Sequence, residues 1–278
     1  MGGGYDLHTH STFSDGTTSP ESNVEAAVAL GLEGLGVTDH DTTDGFERAR
    51  LAADDTGLEL VLGTEFSAEH EGFSVHVLGF WIDPGHAALT DELERLRDER
   101  TDRARRIVER FRELGIPLEF ERVLQLAGTA PIGRPHIAEA VVETGAVGDT
   151  KEVFDRYLAD GGPAYVPKHA VGPRRAVELL TAACGVAVLA HPGLYGRDDR
   201  GVDPGLVEEM AGAGLAGIEA DHPDHTAEQR RAYRDLAVGL GLEVTGGSDY
   251  HGEAKPNRLG SATTDREVVE RLRSWVRT

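Results

Sequence analysis

The residues able to do chemistry fall in short runs that mix histidine with aspartate or glutamate: DLHTHSTFSD from Asp6, TDHD from Thr38, GTEFS from Gly63, AHPG from Ala190 and GSDYH from Gly247. His8 and His10, two apart on an extended chain, project to the same side and can bind one ion, with Asp15 following after a polar turn. An H-x-H pair alone is as readily two surface histidines; five such runs in series point to metal. Imidazole and carboxylate are the ligand set for Zn, Mn or Fe, and the lack of paired thiols argues against a structural zinc cage. Nine candidates (His8, His10, Asp15, His40, Glu65, His76, His191, Asp249 and His251) exceed the needs of one ion. Two or three divalent ions are therefore expected, with Glu65 bridging a pair.

Such dispersed residues converge only if the fold gathers them. Short apolar runs alternate with helical patterns for most of the length, which argues for βα units and a parallel sheet. Seven strands are expected, at Tyr5 to His8, Leu35 to Thr38, Leu58 to Leu62, Phe73 to Phe80, Val186 to Ala190, Ala216 to Glu219 and Leu242 to Thr245. Every candidate-bearing run begins or ends at the C-terminal end of one of these, where the loops of a parallel α/β barrel build its active site. His76 is the exception, lying inside the fourth strand. It must point inward, leaving Val75 and Val77 to face the helices.

Helices are expected between the strands: Ser19 caps one with Pro20 in its first position, running through Val24, Ala27 and Val28 to a stop at Gly31. Others are expected at Pro173 to Cys184, Pro204 to Ala213, Ala227 to Leu240 and Arg266 to Trp275. Residues 88–160 break the alternation. Leu89, Leu93, Leu96, Ile107, Phe111 and Leu114 recur at helical spacing, with amphipathic pieces at 118–126, 136–144 and 150–159. The organisation expected is a barrel of residues 1–87 and 161–278 with a helical insertion, 88–160, over the barrel mouth.

Composition narrows the class. No apolar run approaches the roughly 18 to 20 residues of a membrane span. The N-terminus, MGGGYDLHTH, has no basic segment followed by an apolar one, and the single cysteine, Cys184, excludes an internal disulfide framework. A cytoplasmic protein with a buried structural thiol is expected. The net charge of −21 disfavours long-range attraction to duplex nucleic acid, although salt screens it over about 3 Å at 1 M. With only three lysines among 28 basic residues, it also suggests adaptation to salt, which a stability curve independent of molar KCl would count against.

The motifs DLHTHSTFSDG, VTDHDTTDG, GTEFSA, HVLGF, AHPG and GSDYHG, in this order, resemble the PHP (polymerase and histidinol phosphatase) family of metal-dependent phosphoesterases over essentially the whole chain. The resemblance implies a distorted (β/α)7 barrel. It also implies one ion held by His8, His10, Glu65 and Asp249, a second by Glu65, His76 and His191, and a third by Asp15, His40 and His251. The chain is most similar to the stand-alone branch that removes the 3′-phosphate of nucleoside 3′,5′-bisphosphates and trims short RNA 5′ to 3′. GRPHIAEA (133–140), GGPAYVPK (161–168) and GIEADHPDHT (217–226) resemble its substrate-binding segments.

By that resemblance Arg134 grips a phosphate, Lys168 adds a point charge, and His222 and His225 line the pocket, with His222 and Arg134 the catalytic candidates. Each has a plain alternative: a helix cap for Arg134, a solvated surface for Lys168, a satisfied loop for the histidines. The substrate expected is a small phosphorylated molecule, a nucleotide or short RNA. Histidinol phosphate or another small monoester remains open at this point, as does a non-catalytic, metal-bearing structural or regulatory barrel.

Overall fold

In the computed structural model, which describes residues 3–128, 132–159, 161–167, 171–194 and 201–276, the apolar runs form seven strands hydrogen-bonded in chain order. They are β1 (Tyr5–Asp6), β2 (Gly34–Val37), β3 (Glu59–His70), β4 (Phe73–Phe80), β5 (Val186–Leu189), β6 (Leu215–Asp221) and β7 (Glu243–Gly246). The sheet nearly closes into a barrel, with bridges Thr9 to Tyr250 and Tyr5 to Thr264 tying the start of the chain to the segments after β7. Helices α1 (Pro20–Leu30) and α2 (Phe46–Ala53) flank the first strands. After β4 come α3 (Ala87–Glu113), α4 (Phe120–Ala127), α5 (Arg134–Glu143) and α6 (Thr150–Val153), the last running into a π turn, Phe154–Leu158. Then follow α7 (Pro173–Ala182), α8 (Pro204–Gly212), α9 (Ala227–Leu240) and α10 (Arg266–Arg273), set among or after the remaining strands.

The helix ends follow local chemistry. The Ser19 hydroxyl accepts the Ser22 N–H and Pro20 opens α1, while Gly31, at φ 72°, closes it in the left-handed region that a residue without Cβ adopts at no steric cost. At α9 the Thr226 hydroxyl and the Gln229 side chain each accept from the other's backbone N–H.

The expectation of a parallel sheet holds for β1 to β3 and β5 to β7 and fails for β4, which runs antiparallel to both neighbours. The reason is a two-residue turn: Glu71 and Gly72 have φ of 49° and 91°, the left-handed pair of a tight hairpin, so β4 must fold straight back on β3. β3 is correspondingly longer than the expected Leu58 to Leu62.

Register sets what faces inward. Gly63, Glu65 and Ser67 lie opposite Phe80, Leu78 and His76. Val61, Leu78, Phe80 and Val188 join Tyr5 and Leu7 in an apolar floor, to which Val269 and Leu272 of α10 contribute. Each such side chain contributes about 1.5–3 kcal/mol on burial. Further along the same inward rows the residues become Glu65 and His76, so the apolar floor ends where the polar cluster begins.

By its internal contacts the chain divides into two compact units, Met1–Leu93 with Ala170–Thr278, and Glu94–His169. The second has its own apolar core, in which Ile107, Phe111, Val123, Ile137, Val141 and Leu158 are buried. Leu114 differs from the expectation: α3 ends at Glu113 and Leu114 is exposed. Cys184 likewise lies beyond α7, half-buried at φ 62°.

Candidate metal centre

The loop after β1 places His8 and His10 inside the barrel, and their outer nitrogens are already occupied. His8 Nδ1 lies 3.0 and 3.1 Å from the two oxygens of Glu219, at the end of β6. Ser14 Oγ donates to Asp39 Oδ1 at 2.7 Å and is therefore the acceptor for His10 Nδ1 at 3.3 Å. His251 Nδ1 donates to the Asp249 carbonyl at 2.8 Å. Each of these contacts places a proton on Nδ1 and turns Nε2 into the cluster, so that a cation displacing any Nε2 proton would meet an oriented lone pair.

Glu65 stands at the centre. Its Oε2 is 3.1–3.2 Å from His8 Nε2, His10 Nε2 and His40 Nδ1, and its Oε1 is 2.9 Å from His76 Nδ1 and His191 Nε2. One carboxylate thus offers one oxygen to each of two groups of histidines, as a bridging ligand does. Among the described residues, three overlapping sets bring their ligand atoms within 4.8 Å of one another: His8, His10, Glu65 and Asp249; His10, Asp15, His40 and His251; and His40, Glu65 and His76. His10 and His40 therefore reach more than one set, where the resemblance assigned each to a single ion.

The donor set fits divalent cations on the evidence of its own geometry. His8 Nε2 and His10 Nε2 approach to 3.1 Å, and Glu65 Oε2, Asp249 Oδ1, His40 Nδ1 and His251 Nε2 are buried without a hydrogen-bond partner. Unsatisfied buried polar atoms are costly, and here they share one focus, which a cation would satisfy together. Backbone strain collects at the same place: His191 and Asp249 have φ of 23° and 51°. Gly247 makes room, since a Cβ there would lie 2.4 Å from the His8 Cβ and 2.5 Å from Glu219 Oε1.

Electrostatically the cluster is an anionic cage. Burial pushes the Glu65 and Asp249 carboxyls up, but the surrounding imidazoles prevail and hold both well below the usual range. Asp15, on the open side, is also lowered despite burial, through His40, His251 and His10. Burial opposes protonation of His8 and His10, yet Glu219, Glu65 and Asp249 hold His8 well above its ordinary value, and the nearby carboxylates of Asp249, Glu65 and Asp15 push His10 up to about 9. His40 is driven well below by burial. Binding a cation would displace the protons that now balance these carboxylates.

The substrate candidates divide. His222 is fully buried, accepts the Asp224 N–H on Nδ1 and so carries its proton on Nε2, 3.6 Å from Asp249 Oδ2. His225 is spent on structure, with Nδ1 donating to the Ala220 carbonyl and Nε2 accepting the Gly193 N–H, so it clamps the loops after β5 and β6. Arg134 opens α5 in the second unit, its guanidinium 5.9 Å from the centre of the Phe154 ring. Lys168 lies outside the described residues. Sequence reasoning passed over Asp41, whose carboxylate accepts the Ser67 N–H, and Lys255, bonded to Asp249 Oδ2 at 2.6 Å. A lysine four residues past GSDYH, in a chain with three lysines, was the available signal.

Known proteins resemble this chain along nearly its whole length. The PHP domain profile matches residues 6–94. A 5′-3′ exoribonuclease of Haemophilus influenzae is 35% identical over 89% of each chain. A 3′,5′-nucleoside bisphosphate phosphatase of Chromobacterium violaceum is 34% identical over 94% of this chain and 91% of its own. A phosphoribosyl 1,2-cyclic phosphate 1,2-diphosphodiesterase of Eggerthella lenta is 35% identical over 89% and 94%. A solved Bifidobacterium adolescentis structure, assigned as a metal-dependent phosphoesterase, superposes with a TM-score of 0.86 at 36% identity over 99% of this chain and 97% of that one. With relatives along nearly its whole length and the ligand-rich strand ends in place, the chain belongs to the PHP family of metal-dependent phosphoesterases.

Proposed function

We propose that the enzyme hydrolyses a phosphate ester of a nucleotide, the 3′-phosphate of nucleoside 3′,5′-bisphosphates first, and that it also accepts short 5′-phosphorylated RNA. The observation that carries the reading is the convergence of five imidazoles on the two oxygens of Glu65, in a chain about as similar to a bisphosphate phosphatase as to an exoribonuclease. His8, His10, Asp15, His40, Glu65, His76, His191, Asp249 and His251 would hold two or three ions of Mn, Fe or Zn. Such ions lower the pKa of water to near neutrality and offset charge on phosphoryl oxygens.

The chain's own groups do the rest. Glu219 holds His8 by its Nδ1, and Asp39 with Ser14 holds His10, so the ligand nitrogens need no reorganisation. His222 is the group we assign to the departing sugar oxygen: with Nδ1 accepting the Asp224 N–H, its neutral ring presents Nε2–H toward the cluster, where it would donate a hydrogen bond to the charge developing on that oxygen. His222→Ala should lower kcat on a sugar phosphate about 100-fold or more while sparing an aryl phosphate, whose leaving oxygen needs little stabilisation. Equal losses on both would remove that assignment.

The substrate is tested by phosphate release from adenosine 3′,5′-bisphosphate, mononucleotide release from a 5′-phosphorylated RNA oligonucleotide, ring opening of phosphoribosyl 1,2-cyclic phosphate and phosphate release from histidinol phosphate, each with Mn²⁺ and with a chelator. Chelator-sensitive preference for the first two is expected. Preference for the cyclic phosphate would favour a diesterase reading, which the Eggerthella lenta relative supports, and preference for histidinol phosphate would overturn the nucleotide assignment.

A further inference from the structure

Asp249 divides its two oxygens. Oδ1 lies 3.2 Å from His10 Nε2 and 3.5 Å from His8 Nε2, on the ligand side. Oδ2 faces away and accepts from Lys255 Nζ at 2.6 Å. The Asp249 side chain is 2% exposed and that of Lys255 is 38% exposed, so the lysine reaches from solvent to the edge of the cluster. Among the described ion pairs it is the one lysine or arginine joined to a carboxylate of the cluster.

The loop that delivers Lys255 is built for the purpose. Gly252, at φ 68°, allows the turn Gly252–Ala254, and a Cβ there would lie 2.1 Å from Thr17 Oγ1. Thr17 Oγ1 accepts the Glu253 N–H and donates to the His251 carbonyl, which ties the turn to the loop after β1. Asn257 donates to the Ser248 carbonyl, closing the loop from the other side. Between these anchors Lys255 is extended, as a residue before proline must be.

We propose that Lys255 is a substrate-binding residue: its ammonium neutralises Asp249 while the site lacks ions and turns to an oxygen of the substrate's phosphate once they are bound. The inference rests on the phosphoesterase reading above. A cation shared by His8, His10 and Asp249 competes for the same carboxylate charge and repels the ammonium, weakening its hold on Oδ2. Four flexible methylenes and a partly exposed position let the lysine reorient without disturbing the fold. The substrate then supplies the anion that Asp249 no longer offers.

The proposal fixes a sign. Removing the charge should leave cation binding as tight or tighter and should weaken phosphate, whereas a lysine that merely positions Asp249 would do the reverse. The test uses the full chain, stripped with chelator, as wild type, Lys255→Met, Lys255→Arg and the surface control Lys151→Met. Mn²⁺ is titrated calorimetrically, inorganic phosphate is titrated into the Mn²⁺-loaded protein, and KM is measured for adenosine 3′,5′-bisphosphate. Expected for Lys255→Met are unchanged Mn²⁺ stoichiometry with affinity no weaker, a fall in phosphate affinity of about tenfold or more, and a matching rise in KM. Lys255→Arg should recover most of the loss, and Lys151→Met should change nothing. Weaker Mn²⁺ binding with phosphate affinity intact, or no change in either, would overturn the proposal. A wild type that binds no Mn²⁺ would instead overturn the metal reading on which it rests.

Discussion

In the barrel, the side chains most completely removed from solvent include His8, His10 and Glu65, whereas in the unit spanning 94–169 they are apolar, among them Phe111, Val123 and Leu158. Charge divides the same way. Residues 94–169 hold 13 of the 28 lysines and arginines and 14 of the 49 acidic residues, so nearly all of the net charge of −21 belongs to the barrel. One unit buries what stabilises it. The other buries, beside its apolar floor, a cluster of charged groups with unsatisfied atoms that a cation would satisfy together. The comparison teaches that stability and activity have been placed in different parts of the chain, so substitutions should separate them.

The largest separation should come from Glu65→Gln. Losing the central carboxylate should lower phosphate release about 1,000-fold, several kcal/mol of barrier, while chelator-stripped protein unfolds in denaturant no earlier than wild type. Simultaneous collapse of both would break the comparison. The converse is Phe111→Ala, fully buried in the helical unit: about 3–5 kcal/mol lost to denaturant, with Mn²⁺ stoichiometry measured by elemental analysis unchanged. Added Mn²⁺ should stabilise wild type by about 2.7 kcal/mol at 100 times its Kd, and hydrogen exchange should show the gain in the barrel strands.

Smaller still is the effect of pH. Because the folded ion-free state holds the His10 pKa up to about 9, above its ordinary 6.5, that group's contribution to stability is complete below 6.5 and is lost as pH rises through 9. Mn²⁺ affinity should move oppositely, rising up to about tenfold per pH unit for each proton expelled and levelling above 9. Calorimetry in buffers of different ionisation enthalpy would count those protons, and a pH-independent affinity would contradict the cage described here. Arg122→Ala, at an exposed pair with Glu143, should leave both activity and unfolding midpoint unchanged.

Much of this division was legible from residue order. The seven strands were readable as short apolar runs, most of them ending at a histidine or carboxylate, and α9 as the helical pattern that follows the sixth, although its capping box of Thr226 and Gln229 went unread. The direction of β4 was not, since it depends on two left-handed residues, Glu71 and Gly72, within what reads as loop. Helix α2 was missed because Gly45 supplies no side-chain cap and few of its residues are buried. The candidate ligands stand in local motifs, and so their convergence could be expected from the chain. The partners of those ligands could not: Glu219 meets His8 across 211 residues, and His225 turns away from the cluster only because Gly193 and Ala220 are there to hold it.

The most direct measurement is a Mn²⁺ titration of the chelator-stripped full chain, wild type beside Glu65→Gln, with release of phosphate from adenosine 3′,5′-bisphosphate followed at each step. The account predicts at least two ions per wild-type chain, activity that returns as they bind, and loss of at least one ion together with that activity in the variant. Full activity without bound ions, or wild-type ion binding in Glu65→Gln, would contradict it.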